Sequence, residues 1–255
     1  SAFFPGLPSA LEGMRAVFAE RLDPAIVELL DGRTLRFIEE RDGPSGALTQ
    51  LPRTTPGGTP DGGGLLLLQF DGSDASAIAE LARAALRAAG ALRVSPAEDP
   101  VVWELLAVRK KTRGADADTQ LRVGEDITVP RSELSRCVAG LEEIAERFRV
   151  GLRIIAHAGD GNLHPTFWLD PSDSARLPDL DAALDASVRL ALDLGGTITG
   201  EHGVGQFKLR WFRLQHDPVS AALHARVKSA FGPLGILNPG KAFVAEEPGQ
   251  PASAR

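Results

Sequence analysis

The chain has 255 residues, a formal net charge of −6, 43% hydrophobic and 24% charged residues, the profile of a soluble globular chain with room for a sizeable core in one α+β domain or two small ones. The acidic balance and the lack of a long basic run argue against a nucleic-acid surface. No apolar stretch approaches the roughly 20 residues that span a bilayer, so a transmembrane segment is not expected.

Residues 8–22 carry Leu11, Met14, Val17 and Phe18 at helical spacing, which predicts an amphipathic helix. Residues 41–63 are dense in Gly and Pro and read as a loop. The leucine run of residues 64–70, bounded by glycine, predicts a short buried strand, and residues 74–89 an alanine-rich helix capped by Ser73. A second short strand follows at 91–94, then a helix over 100–111 and a polar loop to Gly124. Residues 127–129 predict a strand, and Pro130 opens a helix reaching Arg147. Cys137 lies in that helical pattern as a buried structural thiol; being alone, it forms no intrachain disulfide and suits a reducing, cytoplasmic compartment. A hairpin over 152–169, a helix over 179–194 and a pair of helices over 206–232 come next. From 244 onward the chain is rich in Pro, Ala, Ser and Glu and reads as a disordered tail. No internal repeat is evident. Strands separated by helices and closing on a hairpin imply an α+β fold, an antiparallel sheet with helices on one face.

The hairpin carries the most chemistry. Its centre reads Ala-His-Ala-Gly-Asp-Gly-Asn-Leu-His over residues 156–164. Asp160-Gly161 suits a two-residue type I′ turn, which would pair 157 with 164 and set His157 opposite His164, with Cβ atoms roughly 5 Å apart. Both imidazoles would then reach one metal ion. Alternation places Ile154, Ala156, Ala158, Leu163, Phe167 and Leu169 on a core face, and Arg153, His157, His164, Thr166 and Trp168 on the other. A longer loop using the freedom of Gly159 would shift the register and separate the rings.

A second signal is Gly-Gly-Thr-Ile-Thr-Gly-Glu-His-Gly-Val-Gly over residues 195–205. So much glycine suits a backbone that approaches a ligand closely. In an extended backbone the neighbouring Glu201 and His202 would diverge, one completing a metal site and the other facing a substrate. The same Glu-His-Gly could equally be a solvated turn.

These two segments, followed by Leu-Asn-Pro-Gly-Lys at 237–241, resemble the C-terminal domain of FAD-linked 2-hydroxy-acid oxidases and dehydrogenases, the group of glycolate oxidase flavin subunits and of D-lactate and D-2-hydroxyglutarate dehydrogenases. Glu-Asp-Ile-Thr-Val-Pro-Arg-Ser at 125–132 and the opening segment through Glu28-Leu29-Leu30-Asp31 belong to the same likeness, which runs from about residue 3 to 243. The resemblance implies a ferredoxin-like α+β cap and substrate domain over 1–170, and a C-terminal helical segment over 171–243 that completes the site and packs on the flavin half. That half, an N-terminal FAD-binding domain with a Gly-rich loop, has no counterpart in the residues before 150. The chain is therefore expected to be a fragment or one subunit of a split protein. An exposed apolar patch is expected where the flavin domain would sit.

The resemblance assigns His157, His164 and Glu201 as ligands of a divalent metal (zinc, iron or manganese) and puts His202 at the reacting centre. Two imidazoles and one carboxylate leave a coordination position open, as catalytic sites do. The metal would bind and acidify the hydroxyl of a small 2-hydroxy acid. His202 would take the proton, an imidazole being suited to exchange near neutral pH, and the C2 hydrogen would pass to the flavin, unless a proton-first route through a carbanion applies. Asn162 is a substrate or supporting contact, or an asparagine kept for its turn backbone. Arg109 clamps the substrate carboxylate, or is part of a solvated helix end. The resemblance puts Asn238 and Lys241 near the FAD ring, although Asn-Pro-Gly by itself is a plain turn. Dehydrogenase members of the group carry a lysine just before the strand that matches residues 127–129. Here Gly124 and Glu125 stand there, which speaks against a dicarboxylate substrate. An iron–sulfur subunit is a further possible partner. Two other readings stand beside this one: a metal-dependent hydrolase using the same ligands, and a non-catalytic module that binds a carboxylate or a partner chain.

Overall fold

A computed structural model describes residues 1–43, 46–49, 63–96, 98–110 and 120–242. In the first half, β1 (Ala2–Phe4), α1 (Leu7–Ala19), β2 (Ile26–Asp31), β3 (Gly64–Gln69), α4 (Ala75–Ala88) and β4 (Arg93–Val94) follow one another, with α2 (Gly32–Asp42) and the short α3 (Gly46–Thr49) set between β2 and β3. After α5 (Pro100–Lys110) come β5 (Leu121–Gly124), β6 (Ile127–Thr128), α6 (Leu134–Phe148), β7 (Gly151–His157), β8 (Asn162–Leu169), α7 (Leu177–Asp193), α8 (Leu209–Gln215) and α9 (Pro218–Phe231). The strands form one antiparallel sheet in the order β4-β1-β3-β2-β7-β8-β5, with β6 also on β8.

That order resolves into two units of the same plan. The first, β1-α1-β2-β3-α4-β4, has the ferredoxin-like order 4-1-3-2. The second, β6-α6-β7-β8-α7, is closed by an antiparallel bridge from Thr197 to Thr128, so that Thr197, β6, β8 and β7 repeat the order. The units join through β2 and β7, where Glu28 faces His157 and Leu29 faces Ala156. What repeats is connectivity, not residues, which is why no repeat shows in the sequence. The second unit also continues past residue 170, because α7 packs on α6, β5 and β8.

One face of the sheet holds the main core. Leu29, Leu66, Ile154, Ala156, Leu163 and Phe167 pack there against α1, α4, α6 and α7. Burying a leucine or phenylalanine in such a layer contributes about 2 kcal/mol. The expectation of helices on one face needs an addition: α2, α3 and α5 form a thinner layer on the opposite face, over Phe3, Leu30, Leu65 and Leu67. The leucine run of β3 is apolar on both faces and so demands cover on both. This second layer covers the β1-β3-β2 half, and α2 reaches on to β7, where the Arg153 guanidinium lies 3.5 Å from the Phe37 ring centroid; a cleft opens beside it over His157, His164 and Thr166.

Several local features differ from the sequence reading. The cap of α4 is Asp74, and Ser73 donates its hydroxyl to that carboxylate instead. Strands β1, β2 and β5 and helices α2 and α3 are additional to the elements expected, α3 falling within the stretch read as a loop. Helix α2 is opened by Asp31, whose carboxylate accepts the Thr34 N–H at 2.8 Å. Most of the 41–63 loop and the 244–255 tail lie outside the described residues. Cys137 is fully buried. Helix α9 buries none of its residues, and Val219, Leu223, Val227 and Phe231 all stand exposed on it. No helix of the described residues is long and apolar enough to cross a membrane.

Candidate metal and substrate site

The hairpin that carries the two histidines is built differently from the expected two-residue turn. His157 pairs with Asn162 and Ile155 with His164, so residues 158–161 form the loop and the register is shifted by two. Gly161 takes φ +76° there, and a Cβ would fall 2.1 Å from the Val129 carbonyl oxygen, so this position admits glycine only. The rings are not separated: their centroids lie 5.2 Å apart, edge to face. A two-residue shift preserves the face on which every side chain stands.

The segment 199–202 is curled rather than extended, and one buried carboxylate curls it. Asp126 Oδ2 accepts the Thr199 hydroxyl at 2.8 Å, and the backbone N–H groups of Gly200, Glu201 and His202 at 2.9, 3.2 and 2.9 Å. Lys208 Nζ donates to the Asp126 and Ile198 carbonyls and pairs with Glu125. Burial pushes the Asp126 carboxyl up, but the His202, Thr199 and Glu201 hydrogen bonds and the Lys208 charge outweigh it and hold the group well below the carboxylate range. Asp126 stands opposite His164 because β5 and β6 run along β8 in one register, interrupted at Glu125–Asp126. The interruption faces Pro165, which accepts the Glu125 N–H at 2.9 Å and has no N–H to return.

The curl turns Glu201 and His202 toward the same cluster, contrary to the divergence expected of an extended pair. Glu201 Oε1 lies 3.2 Å from His157 Nε2 and 3.4 Å from His164 Nε2. An ion about 2.1 Å from each of several tetrahedral ligands holds them roughly 3.4 Å apart. These three side chains therefore fit a divalent cation, and His164 Nε2 and Asn162 Oδ1 are buried with no hydrogen-bond partner among the described residues. Asp126, His164 and His202 form a second possible set, but the Asp126 oxygens are already engaged by the loop N–H groups. Burial pushes His164 down to about 4, against the pull of Asp126 and with a further push from His157 and His202. It is neutral at physiological pH, as a ligand must be. Burial raises the Glu201 carboxyl, but the His157 hydrogen bond and the three imidazoles together outweigh it and hold the group below its ordinary range.

The remaining expected residues fall into two groups. His202 stacks on His164 with centroids 5.1 Å apart, and Arg109 reaches across from α5 to lie 3.0 Å from His157 Nδ1. Both line a cleft of about 480 Å³ with His157, His164, Ile155 and Thr166. Asn162 packs against the loop so closely that a Cβ on Gly200 would lie 2.4 Å from its Oδ1. Asn238 and Lys241 line a separate groove with Leu223 and Val227 on α9. They are tied to the cleft indirectly, through Lys241 to the Gln206 side chain and through the Ala242 N–H to the Gly205 carbonyl.

Sequence reasoning singled out neither Asp126 nor Lys208 as a site residue, nor Glu28, a buried carboxylate on β2 bonded to both His157 and Arg109. A period-2 reading of 124–128, placing Gly124, Asp126 and Thr128 on one face, would have flagged Asp126.

Residues 1–242 match the family model for FAD linked oxidases, C-terminal domain. The chain belongs to that family. Among its relatives is the glycolate oxidase subunit GlcD of Bacillus subtilis (strain 168), 30% identical over 246 residues, covering 95% of this chain and 50% of that protein. Another is the mitochondrial D-lactate dehydrogenase (cytochrome) of Arabidopsis thaliana, 27% identical over 244 residues, covering 93% and 41%. The chain thus spans about half the length of the curated relatives it matches. Among solved structures, p-cresol methylhydroxylase superposes with a TM-score of 0.58 at 12% identity, covering 95% of this chain and 52% of that one. That likeness is one of fold. Within this FAD-linked oxidase family the antiparallel sheet with packed helices is the expected architecture.

Proposed function

We propose that this chain is the cation- and substrate-binding half of a flavin-dependent oxidoreductase that converts a small 2-hydroxy acid, of glycolate or D-lactate type, to the 2-keto acid. One observation carries the reading: His157, His164 and Glu201 converge on a cleft that also presents Arg109 and His202. A zinc, iron or manganese ion held by the three ligands would keep a position open, polarise the substrate hydroxyl and ease loss of its proton. Arg109 offers the guanidinium that anchors the substrate carboxylate. His202, half-exposed to the cleft and stacked on His164, takes the hydroxyl proton. An FAD held by the other half would supply the two-electron acceptor for the C2 hydrogen, while His202 holds the proton from the hydroxyl and Arg109 keeps the carboxylate in place. Asn162 keeps the Gly200 turn in place, and so sets where Glu201 and His202 stand. Asn238 and Lys241, beside the exposed apolar face of α9, belong to the side that a flavin domain would cover. The names of the relatives, a glycolate oxidase subunit and a D-lactate dehydrogenase, support the substrate class.

The test is metal analysis of the purified chain by mass spectrometry after incubation with zinc, iron(II) and manganese(II), beside His157→Ala and Glu201→Ala. About one equivalent in the parent chain, lost in both variants, supports the site. Oxidation of glycolate or D-lactate with the flavin half present would complete it. Metal-dependent turnover of esters without flavin would instead assign a hydrolase, and carboxylate binding without turnover beside a flavin half would assign a binding module.

A further inference from the structure

The two nitrogens of His157 have different neighbours. Nδ1 lies 3.0 Å from Glu28 Oε1, and Nε2 lies 3.2 Å from Glu201 Oε1 on the side of the cation ligands. A neutral imidazole has one N–H and one lone pair. Ligation through Nε2 therefore requires the proton on Nδ1, where an ionised carboxylate can accept it. The opposite tautomer, with Nδ1 accepting from Arg109 at 3.0 Å, would set a lone pair against the Glu28 oxygen and block Nε2.

Glu28 does more than face one ring. The same Oε1 lies 2.7 Å from an Arg109 guanidinium nitrogen. Glu28 sits on the first ferredoxin-like unit and His157 on the second, directly opposite in the β2·β7 ladder. The residue is 6% exposed, and its Oε2 has no hydrogen-bond partner among the described residues. A buried carboxylate is costly unless paired, and packing alone would favour an aliphatic residue at this strand position.

We propose that Glu28 is a positioning residue that serves the cation site and the substrate anchor together: it fixes the Nδ1–H tautomer of His157, freeing Nε2 for the cation, and holds the Arg109 guanidinium beside that ring. The proposal rests on the reading of His157, His164 and Glu201 as a metal centre. It locks the two halves of the substrate site into one frame across the unit junction.

The experiment has two readouts on the full chain. In chain labelled with ¹⁵N-histidine, long-range ¹H–¹⁵N spectra report the tautomer of His157; the parent chain is expected to show Nδ1–H with and without Zn²⁺. Zn²⁺ affinity by chelator competition is expected to fall about 10- to 100-fold in Glu28→Gln, whose amide can donate to Nδ1, and to recover in part in Glu28→Asp. Ile26→Ala on the same strand is expected to leave the affinity unchanged. No Zn²⁺ binding by the parent chain would refute the metal centre and this proposal with it. Parent-level binding by Glu28→Gln would overturn the role of Glu28 while the metal centre stands. Should Glu28→Gln not fold, an Nε2–H His157 in the parent chain still overturns the proposal.

Discussion

His157 and His164 stand diagonally across the β7–β8 hairpin, paired in the ladder with Asn162 and Ile155, yet with ring centroids 5.2 Å apart. A two-residue turn would have set them face to face, and the four-residue loop 158–161 sets them one step off. Both arrangements keep the rings on the cleft face because side chains repeat every two residues along a strand. A shift of one would have sent one imidazole into the core.

The loop that carries Glu201 and His202 depends on the charge of Asp126 more than on its shape. In Asp126→Asn a neutral carbonyl oxygen would replace the charged one on which four donors converge, and the amide nitrogen would take the Oδ1 place, donor against donor with the Glu201 N–H. The expected cost is about 2–4 kcal/mol, of the size seen when a buried charged partner is lost. Hydrogen exchange at amides 200–202 should quicken at least tenfold, while exchange in α6 falls only with global stability. Unchanged protection at 200–202 would count against this carboxylate as the organiser.

Lys208 is buried, and its ammonium answers Glu125. Burial already raises the Glu125 carboxyl, and Lys208 is the main force pulling it back. Lys208→Met is therefore expected to destabilise by about 3–5 kcal/mol at neutral pH. Because the folded-state pKa of Glu125 then rises further, the penalty should shrink as the pH falls below that pKa and the carboxyl protonates in the fold. Glu125→Gln combined with Lys208→Met should cost less than the sum of the two. Urea titrations across pH 5–8 check both points, and strict additivity would contradict the pairing.

Asp31 caps α2 from a fully buried position, and burial lifts its carboxyl to about 6 from an ordinary 3.8. A raised acid adds stability that is complete below its unfolded pKa and is lost as the pH rises through its folded pKa. Wild-type chain should lose about 1–3 kcal/mol between roughly pH 4 and pH 6 from this group. Asp31→Asn, which keeps an oxygen for the Thr34 N–H, should lack that slope. The difference between the two stability profiles isolates it, and parallel profiles would remove Asp31 as the cause.

Cys137 is wholly enclosed, and burial pushes its thiol up to about 12. Thiolate is the reactive form. Native chain at pH 8 should thus resist Ellman's reagent, and unfolded chain should yield its single thiol promptly. Fast labelling of the native chain would show that α6 opens locally.

The sequence by itself determined a good deal of this protein. Alternation over 152–169 separated a core face from a histidine-bearing face, helical spacing located α1, α6 and α7, and the ordered motifs marked the family to which residues 1–242 belong. Those signals are local, set by the two-residue and 3.6-residue repeats of strand and helix. Tertiary structure decided the rest. That β2 lies beside β7, bringing Glu28 to His157 over 129 positions of chain, follows from how two units join edge to edge, which no local pattern encodes. The curl of 199–202 depends on Asp126 and Lys208, each distant or masked by a plain turn in the sequence. The hairpin register was settled by loop geometry, where Gly161 has to clear the Val129 carbonyl. Residue types in the site were legible because their chemistry is scarce in a chain with five histidines. The partners that orient them were not, because an acid or a lysine becomes special only when folding buries it.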